Sequence, residues 1–262
     1  MLTDSHCHLD GRMFNEDREA VFQAARNAGV SRFMAIGTGD GPPDLEAATR
    51  LAEAYDDVYA TVGVHPHDAE KSSGDTLDRL GALCDHDRVL AVGEIGLDYH
   101  YDNSPRDTQK RVFIEQMGLA HEKSLAVVIH TRDAWDDTLE LLAAHWSYTG
   151  LGGIMHCFTG SEEHARAAIE MGFLISFAGV LTFSRSEDLR ATAAALPLEK
   201  LLVETDSPYL TPAPYRKIRR NEPKYVVETA RKLAEVRRLD YAEIAKATSR
   251  NFSKLFGLPE LG

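Results

Sequence analysis

The stretch "TDSHCHLD", residues 3 to 10, sets His6 and His8 two positions apart near the start of the chain. In an extended segment side chains alternate between faces, so both imidazoles point one way and Cys7 the other. Two neutral imidazoles on one face can share a metal ion. An isolated pair is equally compatible with a surface or core role, so its meaning depends on what else the chain supplies. Further ionisable residues follow the same pattern. His65 and His67 follow an apolar run in "GVHPH", and Glu94 ends one in "VGEIGLDYH". His130 ends one in "AVVIHTRD" and His156 another in "GGIMHCFTG", while Glu204 and Asp206 follow one in "LLVETDSPYL". Six of the 11 histidines therefore stand at the ends of apolar runs, which a chance scatter does not produce. Imidazole nitrogens and carboxylate oxygens are the donors that Zn²⁺, Mn²⁺ or Fe²⁺ accept, and a carboxylate such as Glu94 can bridge two ions. Cys7 and Cys157 each flank a histidine. Strand alternation turns both away from the shared face, which makes them small core residues.

These residues need elements to bring them together. Strands are expected at Leu2 to Cys7, Arg32 to Ile36, Val58 to Val64, Val89 to Ile95, Ala126 to Ile129, Leu151 to Met155, Phe173 to Ser176 and Lys200 to Val203. Helical periodicity lies between them at Glu16 to Asn27, Pro43 to Tyr55, Pro105 to Lys123, Ala134 to His145, Glu162 to Met171 and near Glu187 to Ala195. Pro223 to Phe256 reads as two more helices. Eight strands alternating with helices imply an α/β fold, a (β/α)₈ TIM barrel, in which all strand C-termini share the face where barrel enzymes carry their chemistry. A doubly wound open sheet is the alternative. Its best support is the glycine-rich turn Gly37-Thr38-Gly39-Asp40-Gly41, but Pro42 occupies the place where a dinucleotide fingerprint needs glycine, so a plain turn is expected.

No Pro-, Gly- or Ser-rich linker divides the 262 residues, so one barrel domain with C-terminal helices is expected over 1–262. Three scattered cysteines without a CxxC pair point to a reducing compartment. No charged-then-apolar leader follows Met1, and the longest apolar run, Leu125 to Ile129, cannot span a bilayer, which predicts a cytoplasmic protein without a membrane partner. The net charge of −12 opposes nonspecific adhesion to polyanions, so a nucleic-acid substrate requires a local basic patch or bound cations. Arg216 to Arg220 supplies four basic side chains in five residues just after the last strand. That run is either a solvated loop or a phosphate contact at the rim, with Tyr209 and Tyr215 available to stack on an unpaired base.

In their order, "DSHCHLD", "GVHPH", "GEIGLDYH", "IHTRDA", "MHCFTG", "VETDSPYL" and "RRNEPKYV" resemble the TatD-type metal-dependent deoxyribonucleases of the amidohydrolase superfamily. The resemblance spans nearly the whole chain. It implies two divalent ions per subunit, Zn²⁺, Mn²⁺ or Mg²⁺, one held by His6, His8, Glu94 and Asp206 and the other by Glu94, His130 and His156. It places His65, His67, Arg132 and Glu204 in the surrounding pocket as substrate-phosphate or supporting groups. The implied activity is hydrolysis of DNA, as a 3′ to 5′ exonuclease, by a water activated between the two ions, with some members acting on D-aminoacyl-tRNA esters. The expected partner is DNA, single-stranded or with free 3′ ends, and the expected state is a monomer. One departure bears on substrate grip: the family's Arg-Gly-Lys-Arg-Asn-Glu-Pro loop is here Arg216 to Pro223, one residue longer and without the glycine. Asp206 is the expected general base. Glu204 either joins it in catalysis or steadies a ligand histidine. Arg216, Arg219 and Arg220 are the expected phosphate contacts. The rivals are a deaminase, cyclic amidase or lactonase of the same superfamily, and a non-catalytic scaffold. Glu94 in place of a bridging lysine disfavours the first, and the six intact ligands disfavour the second.

Overall fold

Apolar β-branched runs separated by amphipathic stretches form the expected alternation. A computed structural model describes residues 1–37, 41, 42 and 44–261. The strands are β1 (Leu2–Cys7), β2 (Val30–Ala35), β3 (Val58–Val62), β4 (Val89–Asp98), β5 (Ala126–Arg132), β6 (Gly153–Met155), β7 (Phe173–Phe177) and β8 (Leu201–Val203), hydrogen-bonded in that order in one sheet. The pairs β3/β4, β4/β5, β5/β6 and β7/β8 are parallel. The chain after β8 returns to β1: Cys7 and Ser207 form a parallel bridge, and the His8 amide donates to the Ser207 carbonyl at 2.8 Å. A sheet that closes on itself with intervening helices is the (β/α)₈ barrel. Among the described residues the helices are α1 (Arg18–Asn27), α2 (Ala47–Ala54), α3 (Thr76–Leu83), α4 (Arg106–Glu122), α5 (Trp135–His145), α6 (Glu162–Glu170), α7 (Glu187–Ala195), α8 (Val226–Arg237) and α9 (Tyr241–Leu255).

The chain divides into two compact units, each discontinuous in sequence. The first holds Met1–Met34, His156–Arg166 and Leu174–Gly262; the second holds Ala35–Met155 and Ala167–Phe173. In the first, Phe22 of α1 meets Phe33 edge-on with centroids 5.1 Å apart, and Leu233, Ile244 and Phe252 of α8 and α9 are fully buried. A capping box between Asp240 and Glu243 starts α9. The basic loop before α8 is anchored by Arg220, which pairs with Asp17 at the start of α1 (2.6 Å) and with Glu222 (2.9 Å), and donates to the Met13 carbonyl. In the second unit, Val127, Val128 and Ile129 are buried in succession, as a strand covered on both faces requires. The buried Trp146 donates from Nε1 to the Gly152 carbonyl.

Two strands depart from expectation where it matters. Glu94 and His130 do not end their strands: β4 continues to Asp98 and β5 to Arg132. The ladder tolerates them because its register shifts between Gly93 and Ile95, and a bulge there re-aims the Glu94 side chain without ending the pairing. Gly96 makes the continuation possible. Its φ is +142°, and a Cβ there would lie 2.0 Å from the His130 carbonyl oxygen. The helix α3 was not expected, and α2 is shorter than its periodicity suggested. Most of the glycine-rich turn, residues 38–40, lies outside the described residues, as does Pro43. Gly37 itself packs on β3, since a Cβ would come 2.0 Å from the Thr61 carbonyl oxygen. No helix among the described residues is long and apolar enough to cross a membrane.

Candidate metal centre

In the first unit β1 delivers its two histidines as alternation requires. The Nε2 atoms of His6 and His8 stand 3.2 Å apart, and the Cys7 thiol turns away to the Met34 carbonyl. His156, just after β6, stacks on His6 with centroids 3.8 Å apart. Asp206 completes the group, its Oδ1 lying 3.7 Å from His6 Nε2 and 3.5 Å from His8 Nε2. His6, His156 and Asp206 each offer a ligand atom within 4.8 Å of the others'. Donors about 2.0–2.2 Å from one tetrahedral ion stand roughly 3.3–3.6 Å apart, so the donor types and spacings of this group fit a divalent cation. Burial raises the pKa of Asp206, but the His8 hydrogen bond and the potentials of His156, His6 and His8 outweigh it and hold the carboxyl below its usual range. Its backbone is left-handed, with φ +54°.

Glu204 is fully buried behind His156. Its Oε1 accepts from the Cys157 amide at 2.6 Å and faces His156 Nδ1 at 3.2 Å. A proton on Nδ1 donated to Glu204 leaves the Nε2 lone pair for a metal, the arrangement of a carboxylate supporting a ligand imidazole. Cys157 is corrected in the same place. It lies beyond β6, where strand alternation no longer applies, and is half-buried with φ +43° rather than a core residue of a strand.

The second unit carries its own donors. Glu94 is 3% exposed, and its Oε1 lies 2.7 Å from His130 Nδ1 and 3.4 Å from His65 Nε2. His65, Glu94 and His130 each offer a nitrogen or oxygen within 4.8 Å of the others'. The hydrogen bonds separate their roles. His65 Nδ1 accepts the His67 amide proton, and burial pushes the His65 pKa down to about 4, so the neutral ring keeps its proton on Nε2 and donates toward Glu94 instead of offering a lone pair. For His130 the opposite holds. Its Nε2 meets Asp98 Oδ2 at 3.0 Å, leaving Nδ1 as the nitrogen shared with Glu94.

Asp98 lies inside the motif "GEIGLDYH" but is not among the residues that the sequence singled out. It is 1% exposed; Oδ2 takes both His67 Nε2 and His130 Nε2 at 3.0 Å, and Oδ1 accepts the amides of His100 and Tyr101. Burial pushes its pKa up, yet these donors, His130 and His67 foremost, more than reverse that and hold the carboxyl far below its ordinary value. A signal was available: Glu94, Gly96 and Asp98 have the even spacing of one strand face. Asp4, Thr205 and Asn221, buried around Asp206, were missed as well.

The expected phosphate contacts fall into two groups. Arg216 and Arg219 are exposed, the first lying over the Phe183 ring, 3.5 Å from its centroid. Arg132 is exposed over Tyr101 in the second unit. Arg220 is instead engaged by Asp17 and Glu222. His67 is half-buried against Asp98.

Known proteins with this arrangement are numerous. Residues 3–257 match the family described as TatD related DNase. The uncharacterized metal-dependent hydrolase YabD of Bacillus subtilis is 41% identical, covering 98% of this chain and 99% of that protein. A protein of Cronobacter sakazakii named 3′-5′ ssDNA/RNA exonuclease TatD is 37% identical, with 97% of each chain covered. The crystal structure of YjjV, a TatD homolog from Escherichia coli K12, superposes with a TM-score of 0.90 at 34% identity over 98% of both chains. With histidines and carboxylates that converge on or just beyond its strands, an eight-stranded sheet and matches over almost its full length, the chain belongs to the TatD-related DNase family of metal-dependent hydrolases.

Proposed function

We propose that the chain is a two-metal exonuclease that removes nucleotides from the 3′ end of single-stranded DNA. The observation that carries the reading is that His6, His156 and Asp206 of the first unit offer ligand atoms within 4.8 Å of one another, while in the second His130 Nδ1 and Glu94 Oε1 stand 2.7 Å apart. The residues that would hold the metal are His6, His8, His156 and Asp206 in the first unit and, in the second, Glu94 and His130. When bound, two divalent ions polarise a phosphoryl oxygen and lower the pKa of an attacking water. Asp206, ionised at neutral pH, accepts that water's proton. Glu204 holds the His156 ring, and His65 presents an N–H toward Glu94. Arg132, Arg216 and Arg219 contact substrate phosphates. Because a relative is named for ssDNA and RNA alike, RNA stands as a second substrate. A cytoplasmic setting is part of the proposal and is supported by Cys7 and Cys84, both buried, with none of the three cysteines in a disulfide.

The experiment is metal analysis of the purified protein together with product mapping on 3′- and 5′-labelled single strands, with and without chelator. Stepwise release from the 3′ end, lost with chelator and restored by Mn²⁺, is the expected result. Turnover of amides, lactones or D-aminoacyl esters with intact DNA would overturn it.

A further inference from the structure

Asp206 occupies a backbone conformation that a non-glycine residue keeps only when its surroundings impose it. The surroundings are unusually complete. The Thr205 amide donates to Asp4 Oδ1 at 2.9 Å and the Thr205 hydroxyl to Asp4 Oδ2 at 2.6 Å, while Thr205 Oγ1 accepts the Ser207 amide. Asp4 also accepts the His6 amide, and the Asp206 amide donates to the His6 carbonyl, so one buried carboxyl group ties the ligand strand to the loop. On the other side, Asn221 Nδ2 donates to the carbonyls of Thr205 (2.9 Å) and Tyr209 (2.5 Å), and its amide donates to the Pro208 carbonyl. The Asn221 side-chain oxygen Oδ1 in turn accepts the Glu222 amide. Asp4 and Asn221 are both fully buried.

We infer that Asp4, Thr205 and Asn221 form a clamp that positions Asp206, with Asn221 closing the loop over it by bridging the residues on either side. The clamp rests on the proposed role of Asp206 as ligand and base. Asn221 is fully buried, and its side-chain hydrogen bonds go to backbone groups of Thr205, Tyr209 and Glu222. It is a positioning residue, and the altered basic loop leaves it in place because Arg220 anchors that loop separately to Asp17.

The first unit contains a matched control. Asn251 is also buried, and its Nδ2 also donates to two carbonyls, those of Leu198 and Leu201 at the start of β8, away from Asp206. Asn221→Ala and Asn251→Ala are compared with the wild type and with Asp206→Asn in three measurements: Tm, Mn²⁺ affinity of the chelator-stripped protein by calorimetry, and kcat and KM on a labelled single strand. Both alanine variants are expected to melt earlier. Asn221→Ala alone is expected to bind Mn²⁺ about tenfold or more weakly and to lose about ten- to a hundredfold in kcat with KM within twofold, the range for losing a group that orients a ligand. Should Asn221→Ala fail to fold, Thr205→Val removes the hydroxyl at constant shape and carries the same expectation. Wild-type Mn²⁺ affinity and kcat in a folded Asn221→Ala protein, or an equal loss in Asn251→Ala, overturns the clamp. Wild-type Mn²⁺ affinity in Asp206→Asn overturns the ligand role itself.

Discussion

Replacing Asp98 by asparagine keeps the side chain's shape and removes half of its capacity to accept. The carboxylate receives four donors, the amides of His100 and Tyr101 on Oδ1 and the Nε2 atoms of His67 and His130 on Oδ2. An asparagine NH₂ group must face one of those two pairs, donor against donor, whichever way the amide is turned. Facing the backbone amides, it leaves those two N–H groups without acceptors. Facing the histidines, it drives the His130 proton from Nε2 to Nδ1, the nitrogen 2.7 Å from Glu94 and proposed to ligate. The lost charge-assisted bonds are worth about 1.5–3 kcal/mol each, which predicts a clear drop in Tm. Disturbing a group that orients a ligand histidine costs about 10–100-fold in metal affinity, or roughly 1.4–2.7 kcal/mol. Calorimetric titration of the stripped variant with Mn²⁺ should show this loss on one class of site, and the rate on a labelled single strand should fall in parallel. A variant that binds Mn²⁺ and cleaves as the wild type does would refute both the tautomer argument and the placing of Asp98 behind His130.

Three further outcomes follow from the same geometry. Gly96→Ala puts a Cβ 2.0 Å from the His130 carbonyl oxygen, so β5 must withdraw by about 1 Å or more, and a misplacement of that size costs about a hundredfold in kcat; an unchanged rate would show that β5 yields elsewhere. Glu204→Gln should weaken metal binding about tenfold if the carboxylate steadies His156, whereas a larger loss of kcat at unchanged metal affinity would assign it to catalysis. Arg219→Ala should raise KM for single-stranded DNA and lower the salt dependence by about one unit of slope with Tm unchanged, while Arg220→Ala should lower Tm through its lost partners Asp17 and Glu222; the reverse pattern would exchange their roles.

The candidate donors were legible because each follows or interrupts an apolar run, where burial of an imidazole or carboxylate needs a reason. The fold was legible for the same reason, since apolar runs and amphipathic stretches alternate with different periods. Three things were not. A bulge leaves no mark in composition, so the register shift beside Glu94 hid the continuation of β4 and with it Asp98. The short α3 follows Ser72-Ser73-Gly74 and contains Gly81, and this punctuation outweighs the helical period in a segment so brief. The four cations after β8 look alike in sequence, and only the fold brings Asp17 to Arg220 from the far end of the chain, changing that residue from a phosphate contact into an anchor.

That distinction bears on how an acidic protein takes a polyanion. At physiological salt a field is screened within about 8 Å, so the net charge of −12 weighs little at a distance and local cations decide at contact. Many of the chain's cations are already neutralised, as Lys71 is by Asp68, Arg106 by Asp102, Lys110 by Asp137 and Lys123 by Asp85. Among the described residues no carboxylate pairs with Arg132, Arg216 or Arg219, and two of these rest on aromatic rings, a contact that orients a guanidinium while leaving its charge uncompensated. Strong binding to long double-stranded DNA is therefore not expected of this surface, which offers a few unpaired guanidinium groups and exposed tyrosines in place of a continuous basic face. A flexible single strand, whose phosphates can adjust to separate cations and whose bases can stack on an exposed ring such as Tyr209, suits these groups better. Competition by unlabelled duplex should accordingly be weak beside that by single strands of equal length, and equal competition would mean that backbone charge alone governs binding.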